Sequence, residues 1–170
     1  MFKTFRNEDL FMSFTIRYAV RDDVYLIYDF IYLLAKYEKL EHMVTATPSS
    51  LEHSLFDLKQ ANVLIGEEHG VPVSFMLFFH NYSTFLGKAN IYLEDLYVKE
   101  EYRHKGYGKK MFIELAKIAY QEGCERLDWA CLDWNQKAIS FYEQLGAKKL
   151  NEWLPFRLDK LGIYKLSQQK

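Results

Sequence analysis

Residues 103–108 read Arg103-His104-Lys105-Gly106-Tyr107-Gly108 and lie between a predicted strand and a predicted helix. Glycines permit positive φ angles and close approach of the backbone, and a helix start presents unpaired N–H groups at its positive dipole end. Such a turn is typical of a seat for a phosphate or pyrophosphate group. A glycine-rich surface turn with solvated lysines is the simpler alternative, and this stretch alone leaves it open.

Two common phosphate-binding loops do not fit this stretch. The dinucleotide fingerprint needs a third glycine where Met111 stands. The P-loop needs a glycine at the position of Arg103, and a Ser or Thr where Lys110 follows Lys109. What remains is the pattern Arg-x-x-Gly-x-Gly with a strand before it and an amphipathic helix after it.

The hydrophobic periodicity around this stretch predicts alternating strands and helices. Helices are predicted to begin near Asp22 or Asp23, after Thr47-Pro48, after Gly108 and at Asn135. Strands are predicted at 14–18, 62–65, 73–79, 91–98, 126–132, 147–150 and 156–166. This order, βααβββαβαββ, predicts an α/β protein with a mixed central sheet and helices on both faces. Near Glu94-Asp95-Leu96 the strand alternation changes phase, which predicts a β-bulge.

Length and composition predict one globular domain. The chain has 170 residues, 49% hydrophobic and 26% charged, so we expect a single domain over residues 13–170. Residues 1–12 show no clean period and form an N-terminal extension of unknown order. The formal net charge of −1 argues against nucleic-acid binding, because the positive charges are confined to one loop and helix start.

Other sequence features favour a cytoplasmic protein without a metal site. No apolar run reaches the roughly 18–20 residues that span a membrane, and Asn7-Glu8-Asp9 interrupts any signal-peptide core. Cys124 and Cys131 lie seven apart without His or Cys neighbours at ligand spacing. We therefore expect two free thiols in a reducing compartment and no membrane association.

Residues 94–115 resemble the acetyl-CoA-binding region of the GNAT acetyltransferase superfamily, whose hallmark is Arg/Gln-x-x-Gly-x-Gly/Ala. Four further blocks resemble the diamine (spermidine/spermine) and thialysine N-acetyltransferase branch. In chain order they are Leu34-Ala35-Lys36-Tyr37-Glu38, Tyr92-Leu93-Glu94-Asp95, Leu132-Asp133-Trp134-Asn135 and Phe141-Tyr142-x-x-x-Gly146-Ala147. The resemblance implies a GNAT fold, splayed at the acetyl-CoA site, that moves an acetyl group directly to the primary amine of a small molecule. It also implies a homodimer, with the C-terminal strands as a plausible contact.

The resemblance also implies roles for individual residues. Tyr142 matches the general acid that protonates the coenzyme thiolate, and Glu94 matches the residue that assists amine deprotonation. Implied coenzyme contacts are Leu96, Tyr97, Val98, Arg103, His104, Lys105, Gly106, Tyr107, Gly108 and Asn135. Implied substrate contacts are Tyr37, Glu38, Glu94 and Asp95. The spacing itself leaves open that Tyr142 is a buried helix residue and that Glu94 and Asp95 are surface acids.

Two departures bear on the substrate. Tyr82 is followed by Ser83, where the polyamine branch has an acid, and Phe156 stands where that branch has Trp before Arg-Leu. The missing carboxylate weakens the case for a long polycation, so a diamine, a polyamine or a lysine-like amino acid all stay open. Two alternatives remain as well: acetylation of a protein N-terminus or lysine, and a non-catalytic acyl-CoA-binding module.

Overall fold

A computed structural model describes residues 14–169, which fall into two compact units divided between Ala130 and Cys131. The predicted N-terminal extension at residues 1–12 lies outside the described residues. One domain over residues 13–170 stays a prediction, because compactness is established for each unit separately.

The first unit is built on one mixed sheet. Among residues 14–130, five strands lie in the order β1-β2-β3-β4-β5. Their bounds are Phe14–Tyr18, Asn62–Glu68, Val71–Ser83, Lys88–Val98 and Leu127–Trp129. The first four strands pair antiparallel with one another, and β5 runs parallel to β4. The predicted mixed sheet is confirmed, although β5 is shorter than the strand predicted at 126–132.

Helices of the first unit begin close to the predicted starts, the third at Tyr107 and not after Gly108. They are α1 (Val24–Glu38), α2 (Pro48–Glu52) and α3 (Tyr107–Gln121). The Thr47 hydroxyl caps α2 by accepting a hydrogen bond from the Ser50 N–H at 3.1 Å. Asp23 precedes α1, but its carboxylate accepts from the Val20 N–H at 2.8 Å and pairs with Arg17 at 2.7 Å. It therefore ties β1 to the helix start.

The core lies on both faces of the sheet. Ile65 of β2 is buried in a cluster with Ile27 and Phe30 of α1. Gly66 follows it and points to the opposite face, where an added Cβ would lie 3.0 Å from Sδ of Met111 in α3. Helices α1 and α3 therefore cover opposite faces, as the sequence predicts.

We expect Gly66→Ala to destabilise the protein by about 2–3 kcal/mol, at the upper end of overpacking costs. The new Cβ would lie 2.2 Å from Oγ of Ser74 and 2.5 Å from the Phe14 ring, and Ser74 is fully buried in β3. Urea denaturation measures the loss. Gly70→Ala is the control, because its Cβ meets nothing within 4 Å and only its φ of 76° is strained. A Gly66→Ala variant as stable as the wild type would contradict this packing.

The second unit contains two helices within residues 131–169, α4 (Gln136–Gln144) and α5 (Lys160–Ser167). The Asn135 side chain caps α4 by accepting a hydrogen bond from the Ala138 N–H at 3.2 Å. Gly146 follows with a φ of 89°. This helix and its end signal are as predicted.

The two predicted C-terminal strands are wrong. Residues 147–150 form no strand, and α5 occupies most of the stretch predicted as 156–166. Asp159 provides the local reason, because its carboxylate accepts from the Gly162 N–H at 2.7 Å and caps a helix. A short apolar run fits both the helical and the strand period. No strand among the described residues pairs with this segment, so the cap at Asp159 favours the helix.

Within 14–169, none of the helices combines the length and apolar character needed to cross a bilayer. The same range has no group of three or more His, Cys, Asp or Glu side chains arranged to hold a metal ion.

Candidate active site

A β-bulge interrupts β4 at Glu94. In the pairing of β3 with β4, Leu77 lies opposite Asp95, whereas Phe78 lies opposite Leu93. Glu94 is therefore the extra residue, and the predicted irregularity is confirmed. Bulges redirect side chains and are frequent beside active sites. The rule that neighbouring strand residues point to opposite faces does not hold across this step.

Three carboxyl groups interact around the bulge. Asp95 is half-buried and Glu94 is exposed. Removal from water raises the pKa of Asp95 to about 7, and the negative charges of Glu94 and Glu38 contribute further. Burial also raises the pKa of Glu38. A carboxyl group with a pKa near 7 can take up and release a proton at neutral pH, as a general base must.

Glu38 reaches this cluster because α1 ends there. Lys39 adopts the left-handed conformation with a φ of 61°, and the Leu40 N–H donates to the Ala35 carbonyl at 2.8 Å. A carboxylate at a helix C-terminus faces the negative end of the helix dipole. The position of Glu38 therefore does not stabilise the helix.

The sheet opens along β4 directly after the bulge. Strand β5 pairs with Ile91, Tyr92 and Leu93 only, while β4 continues to Val98. Strand β3 pairs with the other side of 95–98, and no other strand of residues 14–169 covers the open side. The backbone of Leu96, Tyr97 and Val98 thus offers a strand edge to an extended ligand, although the Val98 carbonyl on this stretch already accepts a hydrogen bond from Nε of Arg103.

The glycine-rich stretch forms a tight turn into α3. His104 and Gly106 both have positive φ, 64° and 79°. An added Cβ at Gly106 would meet nothing within 4 Å, so the backbone conformation and not crowding requires the glycine. The first N–H groups of the 15-residue helix α3, from Tyr107 onward, have no partners within the helix. The turn therefore has the backbone form of an anion seat.

An acidic side chain partly neutralises the positive charge of the lysines around this turn. Glu68 at the end of β2 pairs with Nζ of Lys105 at 2.9 Å and accepts a hydrogen bond from the Tyr107 hydroxyl. These two contacts, that of Tyr107 first, lower the pKa of Glu68. Nζ of Lys110 lies over the rings of Phe14 and Tyr107. Sequence reasoning missed Glu68, which only the fold brings to the turn.

The Arg103 side chain contacts β4 and α1. Its Nε donates to the Val98 carbonyl at 3.0 Å, and Cζ lies 4.8 Å from the centre of the Tyr37 ring and 5.4 Å from that of Tyr97. Its backbone N–H donates to the Glu100 carbonyl at 3.2 Å, which closes the short 3₁₀ turn before the glycine-rich stretch. Tyr37, predicted to contact substrate, is thereby joined to the glycine-rich turn.

Tyr142 and Asn135 belong to the second unit. Tyr142 lies in α4, and its ring centre is 5.4 Å from that of Phe141, with the two rings tilted by 56°. Asn135 already uses its side-chain oxygen to cap this helix. The roles predicted for these two residues, and for the coenzyme and substrate contacts of the first unit, stay predictions.

Comparisons with known proteins agree on one family. The profile described as "Acetyltransferase (GNAT) family" matches residues 22–147. The chain is 40% identical to thialysine N-epsilon-acetyltransferase of Sus scrofa, covering 86% of this chain and 93% of that protein. It is 32% identical to an L-ornithine acetyltransferase of Arabidopsis thaliana over 87% and 89%. An integron cassette protein of V. cholerae has the same fold, with a TM-score of 0.78, 27% identity and coverage of 93% and 99%. The chain therefore belongs to the GNAT family of acetyltransferases.

Proposed function

We propose that this acetyltransferase moves the acetyl group of acetyl-CoA directly to the side-chain amine of a small lysine-like diamino acid. The observation that carries the proposal is the carboxylate cluster of Glu38, Glu94 and Asp95 at the bulge, immediately before the open edge of β4. This cluster would attract and deprotonate a cationic amine, and it would do so next to the edge of β4, which suits an extended coenzyme. The named relatives act on amines of this kind.

The chain has backbone groups suited to the coenzyme. Acetyl-CoA supplies an acetyl group activated as a thioester. We assign Leu96, Tyr97 and Val98 to its extended arm, because their strand edge is open. We assign residues 103–108 to its pyrophosphate, because the turn leads into unpaired N–H groups at the start of α3. Asn135 is a further contact on the ground of the resemblance.

Proton removal from the amine is assigned to the bulge. A free alkylamine has a pKa of about 10, so it arrives charged at neutral pH and must lose a proton before it can attack a carbonyl. Glu94 assists this step, and Asp95 takes part because its pKa of about 7 lets it hold the proton briefly. A backbone N–H on the open edge near Leu96 stabilises the negative charge that develops on the carbonyl oxygen.

Proton delivery to the departing thiolate is assigned to Tyr142. A phenol is weakly acidic and can protonate a thiolate as the carbon–sulfur bond breaks, so that neutral CoA leaves. The resemblance of Phe141-Tyr142-x-x-x-Gly146-Ala147 to the acetyltransferase branch supports this role. The nitrogen loses a second proton to solvent as the amide forms, and the proton held at the bulge also passes to solvent. The Tyr142 phenolate takes one proton back, so each turnover of an ammonium substrate releases one net proton.

A panel of amines tests the substrate class. Thiol release from acetyl-CoA by the wild-type protein is followed with thialysine, L-ornithine, spermidine and a peptide N-terminus. We expect kcat/KM for thialysine or ornithine to exceed that for spermidine by at least about tenfold, because one pocket acid is missing. Activity on the peptide alone would identify a protein acetyltransferase. Coenzyme binding without any transfer would identify a binding module.

We also propose a homodimer. The resemblance supports it, and so do the exposed apolar side chains of the second unit, where Trp153, Leu154 and Phe156 are 69%, 74% and 93% exposed. The contact then involves the segment around α5 and not the strands expected from the sequence. Sedimentation equilibrium should give twice the chain mass of 20.3 kDa. A monomer at micromolar concentration would contradict the proposal.

A further inference from the structure

Arg103 stands where three parts of the first unit meet. Its backbone begins the glycine-rich turn, and its Nε donates to the carbonyl of Val98, the last residue of β4. Its guanidinium lies over the ring of Tyr97 in β4 and over the ring of Tyr37 in the last turn of α1. One side chain thus joins the turn, the open strand edge and the end of α1.

These parts have different tasks in the proposed reaction. The turn and the strand edge are assigned to the coenzyme, whereas the end of α1 carries Glu38 to the amine site. Cation–π contacts of a guanidinium depend on its distance to the ring and are strongest where water is excluded. A planar guanidinium that also holds a carbonyl has little freedom to adapt. A shift of the turn would therefore move Tyr37 and, with it, the adjacent Glu38.

We propose that Arg103 is a positioning residue that couples coenzyme binding to amine binding. The inference rests on the proposed function. A coenzyme seated on the turn fixes the Arg103 backbone, the guanidinium fixes Tyr37, and the last turn of α1 then holds Glu38 in the arrangement that binds the amine. Such coupling is reciprocal, so the amine strengthens coenzyme binding by the same factor.

Calorimetric titration of thialysine with and without saturating CoA measures this coupling without any turnover. For the wild-type protein we expect CoA to tighten thialysine binding by about fivefold or more, the usual size of coupling between sites. Arg103→Met removes the positive charge and the planar guanidinium group. The factor by which CoA tightens thialysine binding is therefore expected to approach one in this variant. The factor is a ratio of two affinities of the same variant, and a general loosening that weakens both affinities cancels in it.

Lys105→Met is the matched control, because it removes a positive charge two residues away whose partner is Glu68 on β2. We expect it to weaken CoA binding and to leave the coupling factor unchanged. Tyr37→Leu removes the ring on the other side of the contact, without altering the turn, and should lose coupling as Arg103→Met does. Tyr37→Phe keeps the ring and should keep the coupling. If Arg103→Met does not fold or does not bind CoA, the two Tyr37 variants decide the question.

Each outcome is informative. Loss of coupling in Arg103→Met and Tyr37→Leu, with coupling retained in Lys105→Met, supports the assignment. A wild-type coupling factor retained in Arg103→Met or in Tyr37→Leu overturns it and leaves the proposed function intact. Thialysine that fails to bind the wild-type protein under either condition overturns the assignment through failure of the proposed function.

Discussion

The Tyr142→Phe variant is expected to release CoA thiol about a hundredfold more slowly than the wild type, at the lower end of what a lost general acid costs. The reason for the lower end is chemical. A thiol has a pKa of about 8.5, so a thiolate is a tolerable leaving group even when no proton reaches it. KM for acetyl-CoA should change little, because the phenyl ring and its packing are kept.

Two measurements separate chemistry from packing in this variant. Thermal denaturation should show unchanged stability, since the substitution removes one hydroxyl and little volume. Tyr164→Phe is the control, because it removes a hydroxyl from α5, where Tyr164 is 62% exposed, and should leave turnover unchanged. If Tyr142→Phe keeps its turnover within about twofold of the wild type, Tyr142 is a packing residue and not the general acid.

Asp95→Asn is expected to reduce kcat/KM at pH 7.5 by about a hundredfold and to change the shape of its pH dependence. In the wild type, kcat/KM should rise as Asp95 ionises, with an apparent pKa of about 7 in the free enzyme. The asparagine cannot ionise, so this rise near pH 7 should disappear. A wild-type profile in the variant would remove Asp95 from proton transfer.

The same variant is expected to be more stable than the wild type at alkaline pH. The pKa of Asp95 is about 7 in the folded protein against 3.8 ordinarily, so the folded state holds the proton more tightly. Wild-type stability attributable to this group is full below pH 4 and is lost as pH rises through 7. At pH 8 the gain from Asp95→Asn is on the order of 2 kcal/mol after allowing for partial solvation, and denaturation at pH 4 and 8 measures it. Equal gains in stability at pH 4 and pH 8 would contradict an Asp95 that ionises between them.

Glu94→Gln provides the companion result for this site. The Glu94 charge contributes to the raised pKa of Asp95, after burial, so its removal lowers that pKa without returning it to 3.8. The acidic limb of the kcat/KM profile should therefore shift to lower pH, in addition to any loss of rate. A profile with unchanged height and position would exclude Glu94 from the mechanism.

Local signals predicted much of the first unit. The phase change near Glu94 marked the bulge, because one extra strand residue reverses the apolar alternation on either side. The Thr47-Pro48 pair and the residues before Val24 marked helix starts. The strands predicted at the C-terminus are wrong because a short apolar run fits both periods, and the cap at Asp159 is established only by the structure.

The site was less predictable where it depends on contacts between distant segments. Glu68 precedes Lys105 by 37 positions, and nothing near it in the sequence indicates that it pairs with the turn. The raised pKa of Asp95 results from burial and from Glu38 at the end of a different element. The resemblance favours Glu94, and strand alternation predicts that only one of Glu94 and Asp95 faces the site; the bulge removes that restriction.

Amine-dependent release of thiol from acetyl-CoA by the wild-type protein at neutral pH tests the central claim most directly. We predict release that is saturable in thialysine, negligible without an amine, and matched by one N-acetylated thialysine per thiol when the product is counted by mass spectrometry. Release that does not depend on an amine, or coenzyme binding with no acetyl transfer to thialysine or to ornithine, would contradict it.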